Sequence, residues 1–398
     1  MRILVVTPTF LPIIGGAEIG IYEICKRLGR YHDVRILTPS HSIQIISQQG
    51  AEDTYFNEKN FEVRHFKDVL NLTKLRGQRV LGKLIPPFSI SYPWAVFKQI
   101  KIFHPDLIIF HYIVPAGLAL IMVRILTKIP IVLSLIGRTD VLKEDNLYYK
   151  KHRIYFLAIL KFTSYVISIS RYALGQFCEQ IPVKIIPYGV DTKRFSPKVN
   201  GEKVREKLGI DRNKVVLFTL QRLVKVKRVD ILIKSLKYVL EVNKDVFLLI
   251  GGKGQEEQSL KSLAKKLSVY DNVLFTGYIS EEDIPKYFAM SDIFVFSSSN
   301  ETFGIVISQA MASGKPIVSI NSTAIPEVVD NGINGILVES LNPKKFAAAL
   351  INLLSSKDVL KQYSENGRKK AVEKYDWDII AHQYEEIFKN LVGMEMQK

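Results

Sequence analysis

The sequence contains only two cysteines, Cys25 and Cys178, among 398 residues. Two thiols cannot form a disulfide framework, and they cannot supply the four ligands of a structural zinc site, so both classes of protein are excluded. The apolar run at residues 3–6 is too short for the hydrophobic region of a signal peptide. Together, these two features predict a cytoplasmic protein that works in a reducing environment.

Long apolar segments are also missing. The longest uncharged stretch, residues 107–123, is at the lower limit of about 17–25 residues for a membrane-spanning helix. Because His111 and Pro115 lie in its middle, we interpret this stretch as a buried strand, a loop and a helix. The sequence therefore predicts a chain that does not cross a membrane.

Acidic residues are scarce relative to basic ones, with 39 Asp and Glu against 55 Lys and Arg, for a formal charge of +16. Such an excess suits three kinds of partner: nucleic acid, an anionic membrane surface or an anionic substrate. No basic stretch interleaved with aromatic residues forms a recognised nucleic-acid module, so we do not expect nucleic acid as a partner.

Short apolar runs alternate with helix-length amphipathic segments along the whole chain. In the first half these runs are residues 3–6, 34–37, 107–110, 131–135, 166–169 and 183–186. In the second half they are residues 215–220, 246–250, 273–275, 293–296, 317–319 and 336–338. Continuous apolar strands between helices are typical of parallel sheets that helices cover on both faces.

The alternation predicts an α/β fold with two Rossmann-like, doubly wound domains that face each other across a cleft. We place the first domain at residues 1–190 and the second at 191–376, with a Pro- and Gly-containing linker at about 187–201. A helical segment at 377–398 follows the second domain. Sheets of this kind bind ligands at the carboxyl ends of their strands, so the residues that follow each strand are the candidates for chemistry.

Two glycine-rich turns follow predicted strands. Gly15 and Gly16 come after the first strand and before a helix, and Gly252 belongs to a Gly-Gly-Lys-Gly turn after the run at 246–250. Such turns let backbone N–H groups approach an anion; a tight turn that serves only the backbone is the alternative. Neither turn matches G-x-G-x-x-G or G-x-x-x-x-G-K-[ST], which disfavours a dinucleotide-dependent oxidoreductase and a P-loop nucleotide triphosphatase.

Four cations follow the predicted strand at 215–220, namely Arg222, Lys225, Lys227 and Arg228. The dipole at a helix N-terminus disfavours cations by about 0.3–1 kcal/mol each, so the cluster favours a bound anion. A guanidinium beside an ammonium suits a diphosphate, although a solvated helix start is the alternative.

Polar residues 297–300 and Gly304 follow the strand at 293–296 and precede a helix that begins at Ile305. We interpret the serines as capping residues that leave N–H groups available to a phosphate. Glu301 is then either a carboxylate that accepts hydrogen bonds from sugar hydroxyls or a charge that compensates the helix dipole.

Taken together, these motifs resemble the retaining glycosyltransferases of the GT-B fold, specifically glycosyltransferase family 4. The resemblance covers nearly the whole chain. The segments that carry it, in order, are GGAE at 15–18, IPYGVD at 186–191, QRL at 221–223 with Lys227, GKG at 252–254, FTG at 275–277, Glu301-x-Phe303-Gly304, AMASGKP at 310–316, and PEVV at 326–329 before Asn334-Gly335.

The resemblance implies that the second domain binds a nucleotide-diphosphate sugar donor, that the first binds the acceptor, and that the segment at 377–398 crosses back to the first domain. It implies that Arg222 and Lys227 bind the donor diphosphate and that Glu301 contacts the donor sugar. The residues that it places near the phosphates and ribose are Phe303, Gly304, Ile305 and Gln309. The implied chemistry is electrostatic, and no cofactor or metal is expected; we interpret Asp376 and Asp378 as helix-start residues.

Three departures from the family pattern are present. Gln309 replaces the second Glu of the E-x7-E motif, which weakens ribose binding by about 1 kcal/mol if one hydrogen bond is lost. Ile136 stands where many members have a histidine, and Gln221 and Arg228 replace glycines. The candidates for contacts with the acceptor are His111, Arg138 and Asp140. A non-hydrolysing nucleotide-sugar epimerase and a non-catalytic nucleotide-sugar-binding subunit remain the alternative functions.

Most of the positive charge lies in the first domain, where residues 1–190 contain 24 Lys and Arg against 13 Asp and Glu. Residues 69–105 contain no acidic residue and six basic ones, which are Lys74, Arg76, Arg79, Lys83, Lys98 and Lys101. We interpret this segment as a contact with an anionic membrane face, which predicts a peripheral enzyme with a lipid-linked acceptor; a solvated basic face is the alternative.

Overall fold

The computed structural model describes residues 1–11, 15–40, 60–69, 71, 88–137, 152–175 and 181–396. The chain divides into two compact units. The first consists of Met1–Tyr188 together with Asp378–Lys398, and the second is Gly189–Trp377. Each unit is built around its own parallel β-sheet with helices on both faces, which is the α/β architecture that the alternation of apolar runs predicts.

In the described part of the first unit, seven parallel strands form one sheet in the order β3-β2-β1-β4-β5-β6-β7. The strands are β1 (Arg2–Val6), β2 (Asp33–Pro39), β3 (Glu62–Phe66), β4 (Leu107–His111), β5 (Ile131–Leu135), β6 (Tyr165–Ser168) and β7 (Val183–Ile185). The helices are α1 (Gly16–Leu28), α2 (Ser91–Phe103), α3 (Gly117–Leu126), α4 (Arg153–Lys161) and α5 (Arg171–Leu174).

The second unit contains a six-stranded parallel sheet in the order β10-β9-β8-β11-β12-β13. Its strands are β8 (Val215–Leu220), β9 (Val246–Gly251), β10 (Val273–Gly277), β11 (Ile293–Phe296), β12 (Ile317–Ile320) and β13 (Gly335–Val338). Its helices are α6 (Glu202–Lys207), α7 (Val229–Val242), α8 (Glu257–Lys266), α9 (Ile284–Met290), α10 (Ile305–Ala312), α11 (Ile325–Val328), α12 (Pro343–Leu354) and α13 (Lys357–Lys374).

The described part of the chain ends in α14 (Trp377–Met396), which from Asp378 onward belongs to the first unit. Asp378, in its first turn, accepts a hydrogen bond from Arg27 Nε on α1 at 2.7 Å, and Glu385 lies 3.0 Å from His32 Nε2. The Tyr384 side chain is fully buried. These contacts attach the helix to α1 and to the residues that follow it. No described helix is both long and apolar enough to span a bilayer.

The predicted apolar runs all lie within strands or within one residue of a strand end, so the predicted fold is confirmed. The sequence did not predict β3, which lies at the edge of the first sheet and has β2 as its one neighbour among the described residues. Its Arg64 and His65 are exposed, and Glu62 bonds Arg35 Nε of β2 at 2.6 Å. A strand with one neighbour and solvated side chains needs no apolar run, so this pattern gave no signal.

Both sheets have a point at which the strand order reverses. In the second unit, the chain runs from β8 outward to β9 and β10 and then returns to place β11 on the other side of β8. In the first unit, β1 and β4 are related in the same way. Ligands of doubly wound sheets bind at such switch points, outside the carboxyl ends of the strands. The loops after β8 and β11 are therefore the first place to look for a site in the second unit.

Candidate functional site

The loop after β8 divides its four cations into different environments. A single turn of 3-10 helix, Lys225–Lys227, is followed by Arg228, whose backbone adopts a left-handed conformation (φ 51°) before α7 begins. Arg228 Nε donates to Asp230 Oδ1 at 3.0 Å. Burial raises the pKa of Asp230, but hydrogen bonds from Arg228 and Lys234 outweigh it and leave that pKa lowered. The Arg228 guanidinium is therefore paired with a carboxylate in the first turn of α7.

Lys227 reaches across the switch point to the loop after β11. Its Nζ contacts Oε1 of Glu301, and both side chains are largely buried, with 16% and 14% of their surfaces exposed. The ammonium also lies 5.9 Å from the centroid of the Phe296 ring at the end of β11. A buried ion pair is costly to break on one side only, because the remaining charge is then uncompensated. The contact brings together two of the predicted donor-site residues.

Serine side chains connect the same two loops. Ser297 Oγ donates to the carbonyl oxygen of Lys227 at 2.8 Å, and Ser299 Oγ donates to that of Val226 at 3.0 Å. The interpretation of these serines as helix caps is wrong, because the N-cap of α10 is Gly304 and no side chain caps it. A polar run before a helix is the normal signature of a cap, and only the strand order shows that it faces a neighbouring loop.

Arg222 and Lys225 differ from their two neighbours, because their side chains are exposed and have no ion pair within the described ranges. Both stay in the short segment between β8 and α7. Two cations beside a buried Lys–Glu pair give this end of the sheet an excess of positive charge. Such a charge excess attracts a diphosphate, and the attraction is stronger at a partly buried surface than in bulk water because the effective dielectric constant is lower there.

At Gly252 the backbone of the turn after β9 lies close to the backbone of the loop after β8. Its φ of +114° is unfavourable for other residues, and a Cβ there would lie closer than 3.0 Å to the carbonyl oxygen of Gln221. Its N–H donates to the carbonyl oxygen of Gly277 at 2.7 Å. In this structure the glycine therefore serves the backbone turn, and its predicted contact with a donor stays a prediction.

The start of α10 contains the other predicted donor-site residues. Gly304 has a φ of +89°, and Ile305 begins the helix, whose first N–H groups have no acceptor within the helix. Phe303 is buried and packs edge-on against Tyr375, with ring centroids 5.7 Å apart. Gln309 lies one turn after Ile305 and is buried. These four residues therefore follow Glu301 closely, at the carboxyl end of β11.

In the first unit, Gly15 is the N-cap of α1 and Gly16 is its first residue. A Cβ at Gly15 would meet the buried carboxylate of Glu18, whose Oε1 accepts a hydrogen bond from Thr9 Oγ1 at 2.6 Å. A carboxylate in the first turn already compensates the helix dipole. From the sequence, Glu18 was interpreted only as part of the GGAE motif, and this function was not predicted for it.

His111 is the last residue of β4 and is buried, with 2% of its surface exposed. It is paired in register with Ser134 of β5, and its Nδ1 has no hydrogen-bond partner among the described residues. Burial lowers the pKa of His111 to about 3. The other two predicted acceptor-side residues, Arg138 and Asp140, lie outside the described residues, as do four of the six cations in segment 69–105.

We expect His111 to make the protein less stable in mild acid. Because burial keeps the folded-state pKa near 3 while the unfolded chain titrates near 6.5, the unfolded state binds more protons between these values. Stability from this residue is therefore lost as the pH falls below 6.5, by about 1.4 kcal/mol per pH unit. The free energy of unfolding should fall between pH 7 and pH 5, and this fall should be about 2 kcal/mol smaller in His111→Gln than in the wild type. Urea unfolding at the two pH values measures it. His104→Gln, at an exposed histidine, should retain the wild-type loss.

Sequence profiles of two glycosyltransferase families match consecutive parts of the chain. The profile described as Glycosyltransferase Family 4 matches residues 14–194, and the one described as Glycosyl transferases group 1 matches residues 200–370. Together the two ranges cover most of the chain and correspond to its two units. The chain belongs to the GT-B glycosyltransferases of the family 4 type.

Curated relatives agree with this membership. The chain is 32% identical to spore coat protein SA of Bacillus subtilis over 54% of this chain, and 25% identical to N-acetyl-alpha-D-glucosaminyl L-malate synthase of Bacillus anthracis over 96% of this chain and 95% of that protein. The alignments with the first three relatives span 62%, 60% and 56% of their lengths.

Solved structures resemble the whole chain in fold. HepE of Anabaena, crystallised in complex with UDP, has a TM-score of 0.75 at 24% identity. The alignment covers 98% of this chain and 100% of the HepE chain. Sucrose-phosphate synthase of Thermosynechococcus elongatus has a TM-score of 0.77 at 18% identity, with 99% of both chains covered. At these identities the similarity establishes the fold and leaves substrates to other observations.

Proposed function

We propose that the protein is a retaining, metal-independent glycosyltransferase that moves a sugar from a nucleotide-diphosphate donor to a glycan or lipid-linked acceptor. The observation that carries the proposal is the contact between Lys227 and Glu301 at the switch point of the second sheet. In this proposal the Lys227 ammonium would bind the diphosphate and the neighbouring Glu301 carboxylate would bind the sugar, at the end of the sheet where such folds bind ligands.

The proposed chemistry follows from the charges of these residues. Breaking the anomeric C–O bond builds negative charge on the diphosphate and positive character on the sugar. Lys227, Arg222 and the first N–H groups of α10 would stabilise the departing diphosphate, as preorganised donors do for other developing anions. Glu301 would accept hydrogen bonds from sugar hydroxyls and hold the donor in position. The acceptor would attack the same face that the phosphate leaves, which retains the anomeric configuration.

The names of similar proteins support a nucleotide-sugar donor. HepE was crystallised with UDP and with UDP-glucose, and the mannosyltransferase of Mycolicibacterium smegmatis that is 31% identical over 52% of this chain is described as GDP-mannose-dependent. The full name of the latter, a phosphatidylinositol monomannoside mannosyltransferase, also supports a lipid-linked acceptor. The nucleotides in these two names have different bases. The donor proposed here is therefore either a uridine or a guanosine diphosphate sugar.

A non-catalytic nucleotide-sugar-binding subunit is the second candidate. Ile136, which replaces a histidine common in the family, is buried immediately after β5 and has no ionisable side chain. Such a subunit would bind the donor without turning it over. An epimerase would instead change the donor without any acceptor, so the two alternatives and the transferase differ in their products.

Donor binding can be measured by thermal unfolding of the full chain with UDP, GDP and ADP, each tested with and without an attached sugar. We expect one base to stabilise the protein, by about 2.7 kcal/mol when the free ligand is at 100 times its Kd. The matching nucleoside without phosphates should give little stabilisation, because the proposed cations would have no anion to bind. If no nucleotide stabilises the protein, the proposal of a nucleotide-sugar donor is wrong.

A further inference from the structure

Three helices of the first unit form a continuous layer on one face of its sheet. Helix α2 packs against α3, and α3 packs against α4. Their inner residues, including Val96, Leu120 and Phe156, join one apolar cluster with Phe110 of β4 and Leu133 of β5. The opposite surfaces of these helices therefore point away from the sheet.

The outward surfaces of the three helices expose large apolar side chains. Trp94 of α2 is 69% exposed and Ile154 of α4 is 85% exposed. The other members of this set are Ile102, Ile125, Leu126 and Leu157. Single exposed apolar residues are common on soluble proteins, but a set of this size within one layer marks a surface for a membrane or a partner.

The same layer is basic and contains no acidic residue in any of its three helices or in the residues 127–130 and 162–164 that follow α3 and α4. Its cations are Lys98, Lys101, Arg124, Lys128, Arg153 and Lys161. On α2 the spacing places Trp94, Lys98, Lys101 and Ile102 on one face, and Lys98 Nζ lies 5.5 Å from the centroid of the Trp94 ring. Cations and an indole on one exposed helix face suit the interface of an anionic bilayer.

We propose that the outer face of α2, α3 and α4, termed here the basic helix layer, docks on the surface of an anionic lipid bilayer. This surface shares only Lys98 and Lys101 with the segment predicted at 69–105. Its other four cations lie on α3, on α4 and between α3 and β5. A second copy of this chain is a poorer occupant, since a two-fold interface would oppose six cations to six cations. The proposal rests on the proposed function only in that a lipid-linked acceptor would lie at such a surface.

Vesicle binding by the full chain tests the proposal without requiring turnover. We expect sedimentation with vesicles of phosphatidylcholine containing 30% phosphatidylglycerol, weaker binding at high salt, and little binding to phosphatidylcholine alone. The double variant Lys98→Glu/Lys101→Glu should lower the affinity at least 30-fold, since each cation near such a surface contributes about 1 kcal/mol and 1.4 kcal/mol is tenfold. Lys237→Glu/Lys244→Glu, two exposed lysines of the second unit with the same change in net charge, should bind nearly as wild type.

Tryptophan fluorescence gives an independent readout at the docking face. The chain has two tryptophans, and Trp377 is buried while Trp94 is exposed. A blue shift of the emission on adding anionic vesicles, absent in Trp94→Phe, would support insertion at this face. Equal binding to anionic and neutral vesicles, or equal losses in the two double variants, would overturn the proposal. Nucleotide-induced stabilisation does not depend on vesicles, so failure here leaves the proposed donor site intact.

Discussion

Replacing Lys227 with alanine is expected to lower sugar transfer by about 100- to 1,000-fold, the usual effect of removing one preorganised group that stabilises a developing anion. The variant loses a cation for the diphosphate, and it leaves the largely buried carboxylate of Glu301 unpaired beside the incoming phosphates. The measurement is release of the nucleoside diphosphate at saturating donor, together with donor affinity by calorimetry. Both kcat and donor affinity should fall.

Two controls separate a missing charge from a damaged fold. Lys237→Ala removes an exposed cation of α7 that lies outside the loop after β8, so it should retain most of the activity. The double variant Lys227→Ala/Glu301→Gln no longer contains the unpaired carboxylate, so its thermal stability should recover while its transfer rate stays low. Wild-type transfer by Lys227→Ala, or recovery of transfer in the double variant, would contradict the assigned function of the lysine.

Replacing Gly252 with alanine is expected to lower the free energy of unfolding by about 3 kcal/mol or more. The residue has a φ of +114°, which costs about 1–3 kcal/mol for a residue with a Cβ. The new Cβ would also press on the carbonyl oxygen of Gln221, and overpacking of this kind adds about 1–3 kcal/mol. Urea unfolding measures the loss, and donor affinity should fall with it because the loop after β8 must shift.

Gly332→Ala is the matched control for this prediction. Its φ of +77° is also positive, but a Cβ there would have no neighbour within 4 Å among the described residues. We therefore expect a loss of about 1 kcal/mol from backbone strain alone. If the two substitutions cost the same, close approach to Gln221 does not contribute to the requirement for glycine at position 252.

The fold was predictable because burial on both faces leaves a simple trace in the sequence. Strands such as β4 and β5 are covered by helices on either side, so nearly every residue must be apolar, and the runs at 107–110 and 131–135 stand out. Strand β3 lacks that constraint because it lies at an edge, and its sequence, EVRHF, contains two apolar residues separated by two polar ones. The prediction therefore failed where the physical cause of the pattern is absent.

The candidate site was predictable in its residue types and less so in its contacts. Strand order, which a single sequence does not contain, places Lys227 beside Glu301 across 74 positions and places the serines of 297–299 against the loop after β8. Arg228 illustrates the opposite case. Its partner, Asp230, is only two residues away, yet this contact was not predicted, because all four cations of the cluster were interpreted as favouring a bound anion.

The most direct test of the account follows the sugar itself. The full chain is incubated with the donor that stabilises it and with candidate glycan and lipid-linked acceptors, while nucleoside diphosphate release and the mass and anomeric configuration of the product are measured. We expect release that depends on the acceptor, an acceptor heavier by one sugar, and the donor's anomeric configuration in the product. Isomerisation of the donor without an acceptor, or donor binding with no release for any acceptor, would contradict the proposed function.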